Sequence, residues 1–185
     1  MPVQVPSLGL SLFTIPKNGG TTLWHWSHWL RTGREVEGNV YHQGWMCDGE
    51  VEKETVIVRR DPVERFVSGY RNFRDKRGLS MGFDRFVTEI PRLIRFDGDI
   101  RHHFAPQSEY FPWMPLAKVD HVFDFEEFGK LRDFLEDRAG RKLPACHAQK
   151  SYFSDFELRD EHIELIQQYY LKDYLAGFGT IVDDE

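Results

Sequence analysis

The sequence predicts an α/β domain built on a mainly parallel sheet with helices on both of its faces, and three observations carry that expectation. Short apolar runs of strand length alternate along the chain with stretches of helical periodicity. The first two strand candidates each run through a short loop straight into a helix start, the strand–loop–helix order of a parallel sheet. The 185 residues, 21.9 kDa in all, suit one domain and are few for two, so residues 1–185 read as a single domain.

Leu8 to Ile15 is the first strand candidate, apolar and flecked with Ser and Thr. It leads into Pro16-Lys17-Asn18-Gly19-Gly20 and then a helix from Thr21 to Leu30. Thr55 to Arg59 is the second, centred on Val56, Ile57 and Val58. Asp61 then reads as an N-cap, Pro62 as the first helical residue and Glu64 as the third, a capping-box arrangement that opens a helix to about Arg74. Phe83 to Glu89 reads as a further helix, with Pro91 disturbing its end. Arg101 to Pro115, rich in Pro, His and aromatics, reads as a long irregular loop. Val119 to Phe123 is a third strand, followed by an amphipathic helix from about Glu126 to Ala139 that Gly140 stops. The last helix spans Asp160 to Ala176, with Ile163, Ile166 and Tyr170 on one face.

Composition narrows the function classes. A hydrophobic fraction of 41% can build a core, and the mean hydropathy of -0.53 fits a soluble surface. No apolar run approaches the ~18–20 residues that span a bilayer, and Met1 to Leu12 lacks the basic patch and cleavage site of a secretory signal. The net charge, 24 − 30 = −6, argues against a general nucleic-acid binder. With Cys47 and Cys146 the only cysteines, no disulfide framework is expected and a reducing compartment suits the chain. The expectation is a soluble cytoplasmic protein.

Two segments carry the chemistry of phosphate handling. In Pro16-Lys17-Asn18-Gly19-Gly20-Thr21-Thr22 the glycines let main-chain N–H groups converge on an anion. The helix start adds a favourable field, Lys17 a full charge, and Thr21 and Thr22 hydroxyl donors. A Walker A loop sets its lysine after the glycines; here Lys17 precedes them. The second segment is Arg59-Arg60-Asp61-Pro62-Val63-Glu64-Arg65-Phe66-Val67-Ser68-Gly69-Tyr70. Arg60 stands at the C-terminal end of a strand, where ligands of open α/β sheets gather. Ser68 lies two turns into the next helix, about 9 Å along its axis at ~1.5 Å per residue, within reach of a long arginine that folds back. From Arg59 to Arg77 seven basic residues face three acids; such clusters are usually solvated helix faces, which suits Arg71, Arg74, Lys76 and Arg77.

Together the two segments resemble the nucleotide-binding motifs of the sulfotransferases that use 3′-phosphoadenosine 5′-phosphosulfate (PAPS). Pro16, Lys17, Gly19, Thr21 and Thr22 match the family's 5′ loop, Pro-Lys-x-Gly-x-Thr-Ser/Thr. Arg60, Asp61, Pro62 and Ser68 match its 3′ motif, Arg-Asp/Asn-Pro with a serine eight residues after the arginine. Arg65, Tyr70 and His103-Phe104-Ala105-Pro106-Gln107 are similar to the carbohydrate, Golgi-type branch, which includes heparan 2-O and chondroitin enzymes. So are Val122-Phe123-Asp124-Phe125-Glu126, Gln168-Tyr169-Tyr170-Leu171-Lys172-Asp173-Tyr174 and Phe178-Gly179. The chain departs from the family at Gly20, where a threonine or similar residue is common. It also lacks the membrane anchor and lumenal disulfides of the Golgi enzymes, and it is shorter between the two motifs.

The resemblance implies a P-loop-like sheet and a PAPS-dependent sulfotransferase that acts on a hydroxyl, most naturally of a saccharide. Adenosine 3′,5′-bisphosphate is then the product and no metal is required. Lys17, Asn18, Gly19, Gly20, Thr21, Thr22, Arg60 and Ser68 would hold the nucleotide, and Lys17 would also stabilise the leaving oxygen. A histidine suits the base. His42 is the first choice, because it follows Tyr41 where heparan 2-O-sulfotransferases carry Tyr-His-x-His, although Gly44 replaces the second histidine. His103 is the runner-up. His25 and His28, among the tryptophans of the first helix, read as packing residues. His42 with Cys47, or Cys146 with His147, lacks a full metal-ligand set. Tyr110, Phe111 and Trp113 are candidates for a sugar platform, and Lys150 and Ser151 for a late loop over the nucleotide. Two rival readings are a P-loop small-molecule kinase, which would want a Gly-Lys-Ser/Thr loop and a magnesium-holding Asp, and a non-catalytic nucleotide- or glycan-binding protein of the same fold.

Overall fold

The computed structural model describes residues 2–36, 53–110, 115–145 and 156–180. They belong to two compact units, one from residues 1–59 with 113–148, the other from residues 60–112 with 149–185.

The first unit holds an α/β sheet. Its strands β1 (Pro2–Val5), β2 (Leu10–Phe13), β3 (Glu54–Arg59) and β4 (His121–Asp124) lie in the order β1-β2-β3-β4. β2, β3 and β4 are parallel, as expected. β1 runs antiparallel to β2, pairing Pro2 with Phe13 and Val5 with Leu10, so the sheet is mixed. A strand of four residues between two prolines is too short to show a period, which is why sequence reasoning passes over it. Pro2 is tolerated because it opens an edge strand. All of β2 and the central four residues of β3 are buried, the burial of strands covered on both faces.

Helices flank this sheet. α1 (Gly20–Thr32) buries Leu23, Trp26 and Leu30, and α5 (Phe128–Ala139) buries Leu131 and Leu135. These side chains share one core with Leu10, Leu12, Val56 and Val58, which alternation places on a single sheet face. Each such buried aliphatic or aromatic side chain stabilises by about 1.5–3 kcal/mol.

Two carboxylates of this unit sit in cation cages. Glu136 accepts from Lys142 Nζ at 2.6 Å, from the Leu143 N–H at 3.0 Å and from Arg132 Nε at 2.9 Å. Led by the Lys142 bond, these donors hold its pKa down to about 2. Arg138 first, then His121, hold Glu54 down to about 2 as well. A carboxyl whose folded pKa lies below its unfolded value adds stability above the unfolded pKa, and that stability is lost as the pH falls through the folded one. The melting temperature should therefore drop between about pH 4.5 and pH 2. In Glu136→Gln the melting temperature should be lower at neutral pH and the acid slope shallower. An unchanged slope in calorimetric scans would contradict this account of Glu136.

The second unit is helical: α2 (Pro62–Arg77), α3 (Phe83–Phe96), α4 (Gly98–Phe104), α6 (Asp160–Tyr169) and α7 (Leu171–Leu175). Asp61 caps α2 as expected, its Oδ1 accepting from the N–H groups of Val63 at 2.9 Å and Glu64 at 3.0 Å. The core gathers Phe66, Tyr70 and Phe73 of α2, Phe83, Phe86 and Ile90 of α3, Phe104, Ile166 and Tyr170.

Three elements differ from expectation. α3 runs through Pro91 to Phe96, because Leu93 and Ile94 continue the stripe that packs on this core; the burial outweighs the lost hydrogen bond. Part of the expected loop is α4, whose start is capped by Asp97 accepting from the Asp99 and Ile100 N–H groups. The last helix is two helices, broken at Tyr170. That residue is fully buried, and its hydroxyl donates to the Phe104 carbonyl at 2.8 Å. Tertiary anchoring overrides the helical period there.

Candidate functional site

In the first unit, the loop between β2 and α1 bends through two left-handed residues, Lys17 at φ 72° and Gly19 at φ 79°. Lys17 is the only non-glycine residue with positive φ among the described residues. That conformation costs a lysine roughly 1–2 kcal/mol, and such strain clusters at functional sites. Gly19 is required twice over, by its φ and because a Cβ there would strike the ring of Phe128. Asn18, fully buried, donates from Nδ2 to the Val58 carbonyl at 2.8 Å and so ties the loop to the end of β3. The first bond of α1 runs from the Leu23 N–H to the Gly19 carbonyl at 3.1 Å. The N–H groups of Gly20, Thr21 and Thr22 thus lie ahead of the helix ladder, where backbone concavities and helix starts take anions.

In the second unit, Arg60 and Asp61 form a corner ahead of α2. Gln107, fully buried, grips the main chain of Arg60: its Oε1 accepts the Arg60 N–H at 3.3 Å and its Nε2 donates to the Arg60 carbonyl at 2.8 Å. The Arg60 side chain lies along α2, with Nε 3.4 Å from the Glu64 carboxylate. Glu64 therefore faces Arg60 instead of closing the expected capping box. Glu64, Ser68 and Arg71 follow one another on that stripe of the helix, and Ser68 is half-buried. The Tyr174 hydroxyl reaches Asp61 Oδ2 at 3.5 Å. Gly179 packs so closely that a Cβ on it would lie 2.7 Å from Pro62. Three stretches distant in sequence thus converge on this corner.

Beneath it runs a buried polar layer. Asp173, fully buried, accepts from the N–H groups of Gln107 at 2.7 Å and Ser108 at 2.9 Å and from Ser108 Oγ at 2.9 Å. Burial pushes its carboxyl above the usual range, against the pull of those donors and of Arg65. Arg65, also fully buried, donates to the His103 carbonyl at 3.1 Å and lies 5.7 Å from the rings of Tyr110 and Tyr170. The Tyr70 hydroxyl donates to the Met81 carbonyl at 3.0 Å. Arg65 and Tyr70, quoted above for the resemblance, thus hold the core.

The two candidate bases differ in what the structure describes. His42 lies outside the described residues, as do Cys47, Phe111, Trp113, Cys146, His147, Lys150 and Ser151. His103 has both ring nitrogens engaged: Nδ1 is 3.0 Å from the Asp99 carbonyl and Nε2 is 3.3 Å from Arg77 Nη2. A guanidinium only donates, so Nε2 accepts and the proton resides on Nδ1. Sequence reasoning passed over His102, which lines a shallow depression with Arg101, Glu109 and Tyr110. Burial holds its pKa below the ordinary histidine value. His25 and His28 on α1 are half-buried. Among the described residues, no group of three His, Cys, Asp or Glu is set to hold a metal, and no helix is long and apolar enough to cross a membrane.

No family model, curated protein or solved structure matches this chain.

Proposed function

We propose that this protein is a sulfotransferase that moves the sulfuryl group of PAPS to a saccharide hydroxyl. The observation that carries the reading is the Arg60 corner: an arginine with its main chain clamped by a buried glutamine and its side chain against Glu64, one turn before Ser68 on α2. Arg60 with Ser68 suits a 3′-phosphate. The Glu64 contact is long and Glu64 is largely exposed, so it weighs about 0–1 kcal/mol and yields readily to a phosphate. The strained loop at Lys17 supports a second anion-binding role, for the 5′ end of the donor.

In the reaction, the acceptor oxygen bonds to sulfur as the bond from sulfur to the 5′-phosphate oxygen breaks. Lys17 and the main-chain donors of Gly19 to Thr22 stabilise charge on the departing oxygen. His42 takes the hydroxyl proton.

Calorimetry tests the reading. Adenosine 3′,5′-bisphosphate should bind more tightly than AMP, and Ser68→Ala should weaken the bisphosphate by roughly 1.5–3 kcal/mol, the range for hydrogen bonds to charged groups. Equal affinity for the two nucleotides would remove the basis for PAPS. Bisphosphate selectivity without a sulfate adduct on any member of a saccharide array, read by mass spectrometry, would favour a nucleotide-binding protein without transfer.

A further inference from the structure

Arg60 occupies a gap in the secondary structure. β3 ends at Arg59 and α2 opens at Pro62 with Asp61 as its cap, so neither the sheet ladder nor the helix ladder fixes the peptide groups of Arg60. Main-chain donors and acceptors buried without partners are costly, and a carboxamide, with one donor end and one acceptor end, can mimic a facing peptide. Gln107 does this, taking the Arg60 N–H and giving to the Arg60 carbonyl. Asp173 in turn fixes the segment that carries the amide, through the Gln107 N–H and both donors of Ser108. None of these bonds involves the Arg60 guanidinium. A layer of buried polar groups is thus spent on the main chain of one residue whose side chain, 16% exposed, lies against Glu64 of α2.

We propose that Gln107 and Asp173 are positioning residues that set where the Arg60 guanidinium stands, and through it the preference for a nucleotide bearing a 3′-phosphate. This rests on the sulfotransferase reading above. A small displacement of a binding group can cost far more than its contact list suggests, and here the displaced group would be the one that separates a bisphosphate from AMP. A merely structural Gln107 would act on both nucleotides alike.

The test is Gln107→Met, which keeps the length of the side chain and removes both bonds to Arg60. Calorimetry with adenosine 3′,5′-bisphosphate and with AMP should show the bisphosphate weakened by about tenfold or more, the weight of one hydrogen bond to a charged group, with AMP affinity unchanged. Ser108→Ala, which removes only the hydroxyl bond to Asp173, should lower the same ratio less, by about threefold, because the N–H groups of Gln107 and Ser108 still hold Asp173. A ratio unchanged in Ser108→Ala and in folded Gln107→Met overturns the proposal and leaves the sulfotransferase reading standing. If the unaltered protein does not distinguish the two nucleotides, both fall together.

Discussion

Lys17→Ala should lower kcat by roughly 10²–10³, the usual loss for a donor aimed at a developing oxyanion, while adenosine 3′,5′-bisphosphate binds with little change. The expectation follows from where charge appears. As the sulfuryl group departs, negative charge grows on the bridging oxygen, and an interaction stronger in the transition state than in the ground state raises kcat. The loop geometry makes the substitution a clean one. Lys17 is left-handed at φ 72°, and alanine has the same steric penalty there, so the substitution adds no backbone strain to the loop. Lys17→Arg should recover part of the rate, since it restores charge with a different shape. Single-turnover measurements with labelled PAPS separate the outcomes. A near-normal kcat with a raised KM would make Lys17 a binding residue only.

The parts of this protein that a reader can take from sequence are those written in local chemistry. β2 and β3 are apolar runs with loops at their ends, Asp61 and Pro62 are a cap and a first-turn proline, and Gly140 stops α5. Each needs only near neighbours in the chain. β1 shows no period of its own and is recognisable only from its pairing with β2. The break at Tyr170 is set by a bond to Phe104, 66 residues away, while the helical pattern runs straight through it. The same division holds for the candidate site. Lys17, Arg60 and Ser68 stand out as residue types at suggestive spacings. The clamp of Gln107 on Arg60 joins residues 47 apart, and no spacing rule links a glutamine before a turn to an arginine after a strand. Burial separates the motif residues that hold the core, Arg65 and Tyr70, from Lys17, Arg60 and Ser68, which are only half-buried. Sequence similarity treats both kinds alike.

His42→Ala should abolish most transfer, with a loss on the order of 10²–10⁴, the range for removing a general base, and leave bisphosphate affinity intact. The choice of His42 over His103 now has a physical argument on the His103 side. A base must offer a lone pair, and the one on His103 Nε2 faces Arg77 Nη2 at 3.3 Å, while Asp99 holds Nδ1–H. While Arg77 holds it, that lone pair is engaged and cannot take a hydroxyl proton. His103 also packs edge-on against Phe73, with ring centroids 5.2 Å apart, so His103→Ala should act through stability, with a smaller loss of rate. For His42 as base, transfer should fall as the pH drops through the histidine's own pKa, because only the neutral ring accepts a proton, and that acid limb should vanish in His42→Ala. Should His103→Ala lose the rate and the acid limb while His42→Ala keeps both, the base belongs to the His103 segment. In that case Arg77 must leave Nε2 when the acceptor binds.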